Sequence, residues 1–423
     1  MKKKKKINKN KFRVCELFAG VGGFHYALKK SGWKVVWSNQ WEPNKNQQYA
    51  FDCYAKHFKK SINTNEDIAK AKLQLKKYKF ELLVGGFPCQ DYSVATTKAK
   101  GIQGKKGVLW WQINDIINEK KPKYILLENV DRLIRSPAKQ RGRDFSIILG
   151  CLLENGYYVE WRVINAAEYG FPQKRRRTFI FATTNEKLIN KLKVKTHPPI
   201  DVIGKYGFFA KPFPVLFEQN GKGTNPLKWD SIPVNIQEIS DSFHFDYQNS
   251  GFMYAGKIHT IRVYPNRKKI KQQTLRRKLQ ENVSQEFYIS EKDIHSKNGW
   301  VYCKGSKNED RVTPEGYSYK YTEGAIPFPD NLDSPSRTML TSEGNKRPNR
   351  ITHIIIDPLT KQYRVLTPIE TERLNGFPDN WTNNTRMPLR WRYFCMGNAL
   401  VVGVVKKLGK RLKALISKSK NKG

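Results

Sequence analysis

The sequence lacks the features that define several classes of protein. None of its six cysteines forms a C-x-x-C pair in 423 residues, so neither structural zinc nor a disulfide framework is expected. No apolar run approaches the roughly eighteen residues of a transmembrane helix, and no stretch resembles a signal peptide. We therefore expect a soluble cytoplasmic protein whose thiols are free, one of which can be reactive.

Acidic residues are also scarce. Lys and Arg number 78 against 37 Asp and Glu, which leaves a formal net charge of +41. A surface this positive favours a polyanionic partner, and nucleic acid is the commonest one. An anionic membrane is the competing explanation, but the lack of a long apolar run argues against it, so no membrane partner is expected. The length suits two domains, each able to bury a core.

The stretch GGFPCQDY, residues 85–92, places one cysteine directly after a predicted buried strand at 80–84. Two glycines end that strand, and Pro88 restricts the backbone just before Cys89. In open α/β folds, the carboxyl ends of the strands carry the chemistry. Cys89 is therefore a candidate nucleophile, and a small core residue beside a turn is the alternative.

A glycine-rich turn at 19–23 follows the first predicted strand, 13–18, and leads into a helix. Small residues in such a turn let the backbone approach a bound ligand. A second strand ends before Gln40 and Trp41, which could hold a ribose and stack on an adenine. Asp67 could accept from an exocyclic amine. Together these residues predict a nucleoside pocket, although each alone suits a surface or capping role equally well.

Two more polar groups are predicted at the same sheet edge. Glu128 directly follows the strand 124–127, where a capping or salt-bridged carboxylate is the alternative interpretation. Arg175 and Arg177 precede the strand 178–182. Between the cysteine and these groups, the basic segment 91–107 is predicted to be a loop able to close over a bound polyanion.

In this order on one α/β scaffold, the motifs strongly resemble those of the DNA (cytosine-5)-methyltransferases. The resemblance covers roughly residues 12–185 and 333–405, and the ordered combination is far more specific than any single motif. The matching stretches are LFAGVGGF at 17–24, PCQ at 88–90, ENV at 128–130, QKRRR at 173–177, SRT at 336–338 and GNA at 397–399.

The resemblance implies S-adenosylmethionine as methyl donor and a cytosine flipped out of DNA as acceptor. It assigns to the Cys89 thiolate an attack on carbon 6 that turns carbon 5 into an enamine. An unperturbed thiol of pKa about 8.5 is mostly protonated at neutral pH, so the positive Arg175 and Arg177 would help. Glu128, in its protonated form, would hydrogen-bond ring nitrogen 3. No metal is required.

The resemblance also implies a set of cofactor-binding residues. Gln40 departs from the family pattern, because it stands where a glutamate grips the ribose hydroxyls and it carries no charge. The run Lys105-Lys106-Gly107 likewise replaces an acidic-arginine-glycine run. The implied cofactor-binding residues are Phe18, Ala19, Gly20, Val21, Gly23, Gln40, Trp41, Asp67, Ile68, Pro88, Leu109, Asn398 and Ala399.

The expected fold class is α/β, with a doubly wound, mostly parallel, Rossmann-like sheet and a second, smaller, irregular DNA-recognition domain. A basic patch at 262–278 could track a phosphate backbone or form a solvated helical face. The predicted divisions are a basic disordered tail at 1–11, a catalytic and cofactor-binding domain at 12–189, a target-recognition domain at 190–390, and at 391–423 a C-terminal helix that returns to the catalytic domain.

We expect the enzyme to act as a monomer on a specific sequence of double-stranded DNA. Major-groove contacts of the second domain would supply the specificity, and a restriction endonuclease with the same target is a candidate functional partner. Two alternatives remain, namely methylation of a cytosine in tRNA and a catalytically inactive, basic nucleic-acid-binding protein. Methyltransferases directed at amino groups are disfavoured, because the nearest match to their [DNS]-P-P-[YFW] motif, at 197–200, lacks the aromatic residue.

Overall fold

The chain divides into two compact units in the computed structural model. Unit 1 comprises Met1–Tyr169, Arg176–Ile270 and Val402–Gly423, and unit 2 comprises Gly170–Arg175 and Lys271–Val401. Residues 190–270, which were predicted to belong to the target-recognition domain, thus lie in unit 1. The functional division into catalytic and target-recognition parts stays a prediction. The structure describes residues 12–43, 45–87, 108–217, 227–229, 232–233, 235–242, 244–268, 270–384 and 386–417.

Most strands lie in one large sheet within unit 1. In chain order the strands are β1 (Arg13–Leu17), β2 (Lys34–Asn39), β3 (Ile62–Thr64), β4 (Leu82–Gly86), β5 (Tyr124–Val130), β6 (Tyr158–Asn165), β7 (Arg176–Thr183), β8 (Val215–Leu216), β9 (Leu227–Trp229), β10 (Ser250–Tyr254), β11 (Lys257–Ile261), β12 (Tyr264–Pro265), β13 (Lys307–Val312), β14 (Ser318–Glu323), β15 (Ile354–Ile356) and β16 (Tyr363–Val365).

Helices alternate with strands only in the first half of the chain. The α-helices are α1 (Gly23–Lys29), α2 (Tyr49–His57), α3 (Ile68–Ala71), α4 (Val108–Lys120), α5 (Arg143–Glu154), α6 (Glu186–Lys191), α7 (Pro199–Asp201), α8 (Ile236–Ser242), α9 (Glu291–His295), α10 (Trp300–Lys304), α11 (Pro368–Asn375), α12 (Leu389–Asn398) and α13 (Val402–Ser417). Shorter 3-10 or π turns span Lys72–Lys77, Asp131–Arg135, Ala166–Tyr169, Val202–Tyr206, Arg276–Lys278 and Gln285–Phe287.

The large sheet has the strand order β3-β2-β1-β4-β5-β7-β6-β10-β11-β9. The first five of these pair in parallel, and the remaining neighbours pair antiparallel. The predicted α/β fold with a parallel sheet is confirmed. Strand order reverses between β1 and β4, so the crevice beyond their carboxyl ends is the place where such sheets bind ligands.

Burial explains why the central strands read as apolar runs. Strands β1, β4 and β5 are covered on both faces, and Val14, Leu83 and Leu127 are completely buried. Leu83 and Leu127 belong to a core that also takes in Ile117 of α4 and Leu149 of α5. Strands with two buried faces lack the alternation of half-exposed strands, so the prediction from continuous apolar runs holds here.

The C-terminal helix α13 belongs to unit 1 and lies against α1. Its Gly409 is the point of close approach, because a Cβ there would sit 2.8 Å from a methyl carbon of Leu28. The Trp33 indole N–H donates to the Gly409 carbonyl at 3.0 Å, and the Ser31 hydroxyl donates to the Lys406 carbonyl at 3.1 Å. This helix therefore closes the side of the sheet next to β1 and β2.

Unit 2 has small apolar clusters and a buried ionic cluster of its own. Leu275, Met339 and Leu374 share one apolar cluster. The Arg364 guanidinium, completely buried, donates to Asp357 at 2.6 Å and to Glu370 at 2.8 and 2.9 Å. Removing one member would leave a buried charge without its partner, so this cluster fixes the geometry around α11.

Within the part of the chain that the structure describes, no helix is both long and apolar enough to cross a bilayer.

Candidate active site

The turn after β1 requires left-handed backbone at several positions. Phe18, Gly20 and Gly22 have φ values of 52°, 54° and 90°. A Cβ on Gly22 would lie 2.3 Å from the Phe58 ring, whereas no atom lies within 4 Å of a Cβ built on Gly20. The turn is therefore packed from below at Gly22 and open beside Gly20, where a ligand could reach the backbone.

The end of β2 is fastened to this turn. The Ala19 N–H donates to the Asn39 carbonyl at 3.0 Å, and the Gly20 N–H donates to the Gln40 side-chain oxygen at 2.7 Å. The Gln40 side chain, which the resemblance implies binds the ribose, thus also holds the turn in place. Val21 and Gly23 are buried beneath the turn.

The residues that follow Gln40 supply an exposed ring and a carboxylate. The Trp41 side chain is 37% exposed, which leaves a face for stacking. One carboxylate oxygen of Glu42 is buried and has no hydrogen-bond partner among the described residues, and burial raises the pKa of Glu42 while Lys45 offsets part of that rise. The side chain of Gln48 holds the Glu42 backbone through its N–H at 2.8 Å and its carbonyl at 2.9 Å.

Asp67 and Ile68 have structural roles, a helix cap and a core residue. Asp67 caps α3, because its carboxylate accepts from the Ala69 N–H at 2.8 Å. Ile68 is buried in the core of unit 1. Leu109, near the start of α4, packs partly buried against the same core.

A buried polar network lies directly beneath the glycine-rich turn. The completely buried Glu16 accepts from the Tyr54 hydroxyl at 2.9 Å and from the His25 N–H at 3.3 Å, and the His25 ring nitrogen Nδ1 lies 2.7 Å from the same hydroxyl. Burial raises the pKa of Glu16 to about 8 and lowers the pKa of His25 to about 3. The network joins β1, α1 and α2 where the turn leaves the sheet.

Glu128 lies at the end of β5, opposite Gly86 of β4 in the register. It is 9% exposed, and a Cβ on Gly86 would lie 3.0 Å from its Oε2. The glycine thus leaves room for the carboxylate. Arg177 Nε approaches Glu128 Oε1 to 2.9 Å from β7, although no hydrogen bond reaches Oε1, so the contact is electrostatic.

Asn129 links this strand to the one that carries the nucleophile motif. Its buried side chain donates to the Phe87 carbonyl at 2.9 Å. Phe87 is the last described residue before Pro88 and Cys89, and these two, like the loop 91–107, lie outside the described residues. Asn129 therefore fixes the backbone two residues before the predicted nucleophile.

Three separate motifs meet within unit 2. The Lys174 N–H donates to the Ser336 carbonyl at 2.8 Å. The Arg175 side chain is 2% exposed and donates to the Met339 carbonyl at 3.3 Å and to the Gly397 carbonyl at 2.9 Å. These bonds give Arg175 a role in holding the motifs together, while its catalytic role stays a prediction.

Asn398 ends α12 and is exposed, and Ala399 after it is half-buried. The preceding Gly397 is the point of contact, since a Cβ there would lie 2.5 Å from the Leu340 backbone. The structure thus assembles these residues in unit 2, and it assembles the glycine-rich turn, Gln40, Glu128 and Arg177 in unit 1.

Sequence reasoning missed Glu16 and Tyr54. It named Asn129 within the motif ENV at 128–130 and Glu42 among the polar residues after the second strand, but not the contacts that either residue makes. A signal existed for Glu16 and Asn129, because a polar residue within an apolar strand must find a buried partner. The partners themselves are distant in the chain, 38 residues away for Glu16 and Tyr54 and 42 for Asn129 and Phe87.

Comparison with known families gives a match over most of the chain. The model of the family described as C-5 cytosine-specific DNA methylase matches residues 12–414. The type II methyltransferase M.Sau3AI of Staphylococcus aureus is 47% identical over 416 residues, which cover 96% of this chain and 97% of that protein. The type II methyltransferase M.DsaV of Dactylococcopsis salina is 26% identical over 417 residues, covering 97% and 88%.

Solved structures show the same fold. The Dnmt2 methyltransferase of S. pombe superposes with a TM-score of 0.57 at 16% identity, covering 97% of this chain and 100% of that one. The Entamoeba histolytica methyltransferase EhMeth superposes with a TM-score of 0.55 at 18% identity, covering 97% and 99%. These likenesses support the Rossmann-like sheet predicted from the sequence.

Proposed function

Because this chain belongs to the C-5 cytosine-specific DNA methylases, we propose that it moves a methyl group from S-adenosylmethionine to carbon 5 of a cytosine flipped out of a specific double-stranded DNA sequence. The enzyme class, DNA (cytosine-5-)-methyltransferase, follows from the family. The observation that supports the chemistry most directly is the end of β5, where Glu128 is buried beside Arg177 and Asn129 anchors the strand leading to Cys89.

The proposed reaction begins at Cys89. Its thiolate forms a bond to carbon 6 of the cytosine, and the ring electrons move to carbon 5. Carbon 5 then bonds to the methyl group, and the methyl–sulfur bond of S-adenosylmethionine breaks to leave S-adenosylhomocysteine. A base removes the proton at carbon 5, and the bond between carbon 6 and the Cys89 sulfur breaks to restore the thiolate. Flipping is required because a stacked base hides carbon 6 from any thiol. Arg175 and Arg177 are the proposed positive groups that favour the thiolate.

Glu128 is proposed to hold the ring in its protonated form, donating to nitrogen 3 so that carbon 6 becomes more electrophilic. Gly86 leaves space on one side of the Glu128 carboxyl group, and this space lets the carboxyl group hold the ring. The Arg177 guanidinium lies against the same carboxyl group at 2.9 Å. We therefore expect that ion pair to rearrange as the base enters.

The residues around the glycine-rich turn fit S-adenosylmethionine, which supplies an electrophilic methyl group on a positive sulfur. The open backbone at Gly20 offers a close approach, and the exposed face of Trp41 offers a stacking surface. Gln40 and Asp67 supply polar atoms, and both also bond to neighbouring backbone N–H groups. The rest of the proposed set comprises Phe18, Ala19, Val21, Gly23, Ile68, Pro88, Leu109, Asn398 and Ala399.

The relative in Staphylococcus aureus is named a type II methyltransferase. We propose that this chain likewise protects DNA from a restriction endonuclease with the same target, and that it works as a monomer in the cytoplasm. DNA from cells that express the chain should resist an endonuclease that cuts the same target sequence only when it is unmethylated. Light scattering on the purified protein tests the monomer.

Bisulfite sequencing of DNA from expressing cells tests the proposed function, since it reports activity and target together. We expect protected cytosines confined to one sequence. Incorporation of tritiated methyl groups into tRNA but not into DNA would instead support the tRNA alternative. No incorporation into either would leave the inactive binding protein.

The Cys89 adduct has its own test. The protein, S-adenosylmethionine and a target duplex containing 5-fluorocytosine should form a covalent complex stable to denaturation, because the fluorine cannot leave as the proton does. Cys89→Ser should abolish both this complex and methylation while it retains binding of DNA and cofactor. Cys303→Ser, in unit 2, is the matched control. A covalent complex formed by the Cys89→Ser variant would contradict the mechanism.

A further inference from the structure

Strands β13 (Lys307–Val312) and β14 (Ser318–Glu323) form a two-stranded antiparallel ribbon in unit 2. They pair with each other over six residues a strand and, within the described part of the chain, with no other strand. An isolated two-stranded ribbon is marginally stable in water. Its two faces, defined by the register, carry different kinds of side chain.

The first face is neutralised by contacts within the protein. Lys307 pairs with Glu323 at 3.7 Å and Arg311 pairs with Glu309 at 3.0 Å. The Arg311 guanidinium also lies 3.6 Å from the centre of the Tyr321 ring. These side chains are partly buried, so this face supports the ribbon.

The second face, which we call the outer face, points to solvent. Its side chains are all exposed, and among the described residues none of them makes a side-chain hydrogen bond or ion pair. They comprise one amide, two hydroxyls, one carboxylate, one ammonium group and one aliphatic side chain. The outer face consists of the cross-strand pairs Asn308 with Thr322, Asp310 with Lys320, and Val312 with Ser318.

These side-chain types match what the major groove presents. An amide pairs with adenine, a carboxylate accepts from the cytosine amino group, a lysine donates to guanine, and aliphatic groups contact the thymine methyl. The groove is about 12 Å wide and admits a two-stranded ribbon, in which the strands lie about 5 Å apart. The outer face carries one carboxylate and one ammonium group and so has no net charge. It is therefore suited to the edges of the DNA bases rather than to the phosphates.

Positive groups for the phosphates lie next to the ribbon. Arg350 lies at the end of the ribbon where Lys307 pairs with Glu323, since it pairs with Glu323 at 2.9 Å and donates to the carbonyl of Gly305, two residues before β13, at 3.3 Å. Lys346 and Arg347, a few residues earlier, are exposed. A protein partner fits less well, because the outer face holds Val312 as its single apolar side chain.

We propose that the β13–β14 ribbon enters the major groove and reads the target sequence, with Asn308, Asp310 and Lys320 as specificity-determining residues. This inference rests on the proposed function, since it gives that function its means of sequence recognition. It names residues for a task that the sequence alone assigned only to the whole region 190–390.

The test uses the full-length variants Asn308→Ala, Asp310→Ala and Lys320→Ala, with Lys297→Ala as control, an exposed lysine of unit 2 outside the ribbon. Affinity is measured by competition between a duplex carrying the sequence found by bisulfite sequencing and a scrambled duplex of equal length. Each ribbon variant should lose about 5- to 150-fold in the ratio of the two affinities, the usual cost of one wrong base pair. Scrambled-duplex affinity, cofactor binding and melting temperature should stay unchanged.

Three results would overturn the proposal. They are an unchanged ratio in all three variants, an equal loss for both duplexes, and self-association that the variants abolish, which would make the ribbon a contact between copies of the chain. If the wild type proves not to methylate, the proposed function fails. The ribbon is then tested on duplexes selected from a random pool by wild-type binding.

Discussion

At the scale of single residues, the carboxyl group of Glu16 has the most unusual environment of the site. It is completely buried, and a tyrosine hydroxyl and a backbone N–H both donate to it. Desolvation nevertheless dominates, so burial raises its pKa to about 8. The stability of the packing beneath the glycine-rich turn therefore depends on pH through the protonation of Glu16.

The pH dependence of stability follows with a definite sign. Between about pH 4.5 and 8, Glu16 is ionised in the unfolded chain and protonated in the folded one. The folded state then binds more protons, so this group's contribution to stability falls as pH rises, by at most about 1.4 kcal/mol per pH unit. His25 contributes little above about pH 7.5, because burial lowers its pKa to about 3 and the imidazole is then neutral in the folded and in the unfolded chain.

Glu16→Gln should remove the loss of stability that Glu16 causes as pH rises, because glutamine does not ionise. Urea unfolding of the wild type and the variant at pH 6.5 and 8 measures it, and the difference in unfolding free energy between the two proteins should shift in favour of the variant at pH 8. Glu168→Gln, a carboxylate paired at the surface with Arg267, is the control. Parallel pH profiles for wild type and Glu16→Gln would show that Glu16 is ionised in the folded protein.

Gly86 makes a second prediction at this scale. Gly86→Ala would place a Cβ 3.0 Å from Glu128 Oε2, so the carboxyl group must move. We expect methylation to fall by at least tenfold while cofactor affinity, which we propose depends mainly on the turn after β1 and the end of β2, stays within twofold. Gly324→Ala, where a Cβ would meet nothing within 4 Å, is the matched control. Full activity in Gly86→Ala would show that the position of Glu128 is not critical.

At the scale of secondary structure, local signals located strands in both the parallel and the antiparallel part of the large sheet. The apolar runs predicted at 124–127 and 178–182 lie within β5 and β7, because buried strands flanked by glycine or polar residues are recognisable in isolation. Strands β10 and β11 were not recognised. They extend the sheet because β10 pairs with β6, about ninety residues earlier, and β11 pairs with β10. A pairing over that distance leaves no local pattern.

The candidate site shows the same difference between features that a local pattern predicts and features that depend on distant pairing. Motif residues such as Glu128 were identified because they directly follow a readable strand. The Asn129 contact with Phe87 and the network around Glu16 depend on how strands align, which spacing does not encode. Cys89 lies outside the described residues, so its role stays a prediction.

The packing of α13 on α1 gives a prediction about an element. Gly409→Val would force side-chain atoms against Leu28 and Ser31, where even a Cβ comes within 2.8 and 3.1 Å. Overpacking of this kind costs about 1–3 kcal/mol, so the melting temperature should fall by several degrees. Lys410→Val, at the next and exposed position, controls for the lower helix propensity of valine. Equal melting temperatures for the two variants would mean that the helices separate without cost.

At the scale of the whole molecule, the net charge of +41 dominates the interaction with DNA. Positive groups that neutralise phosphates release counterions, so binding to nonspecific duplexes should weaken steeply with salt. If six to ten phosphates are contacted, affinity should fall by about 10³–10⁵ between 50 and 200 mM salt. Fluorescence anisotropy with a random duplex measures the slope, and cofactor binding under the same conditions is the control. A flat salt dependence would show that the excess charge lies away from the DNA.

The bond from Asn129 to the Phe87 carbonyl has a consequence for how the enzyme tolerates change. Because Glu128 and Asn129 are neighbours on β5, the same strand carries the proposed acid and holds the backbone of Phe87, two residues before the predicted nucleophile. We therefore expect insertions between residues 90 and 108 to change the length of that stretch while the Phe87 carbonyl keeps its bond to Asn129.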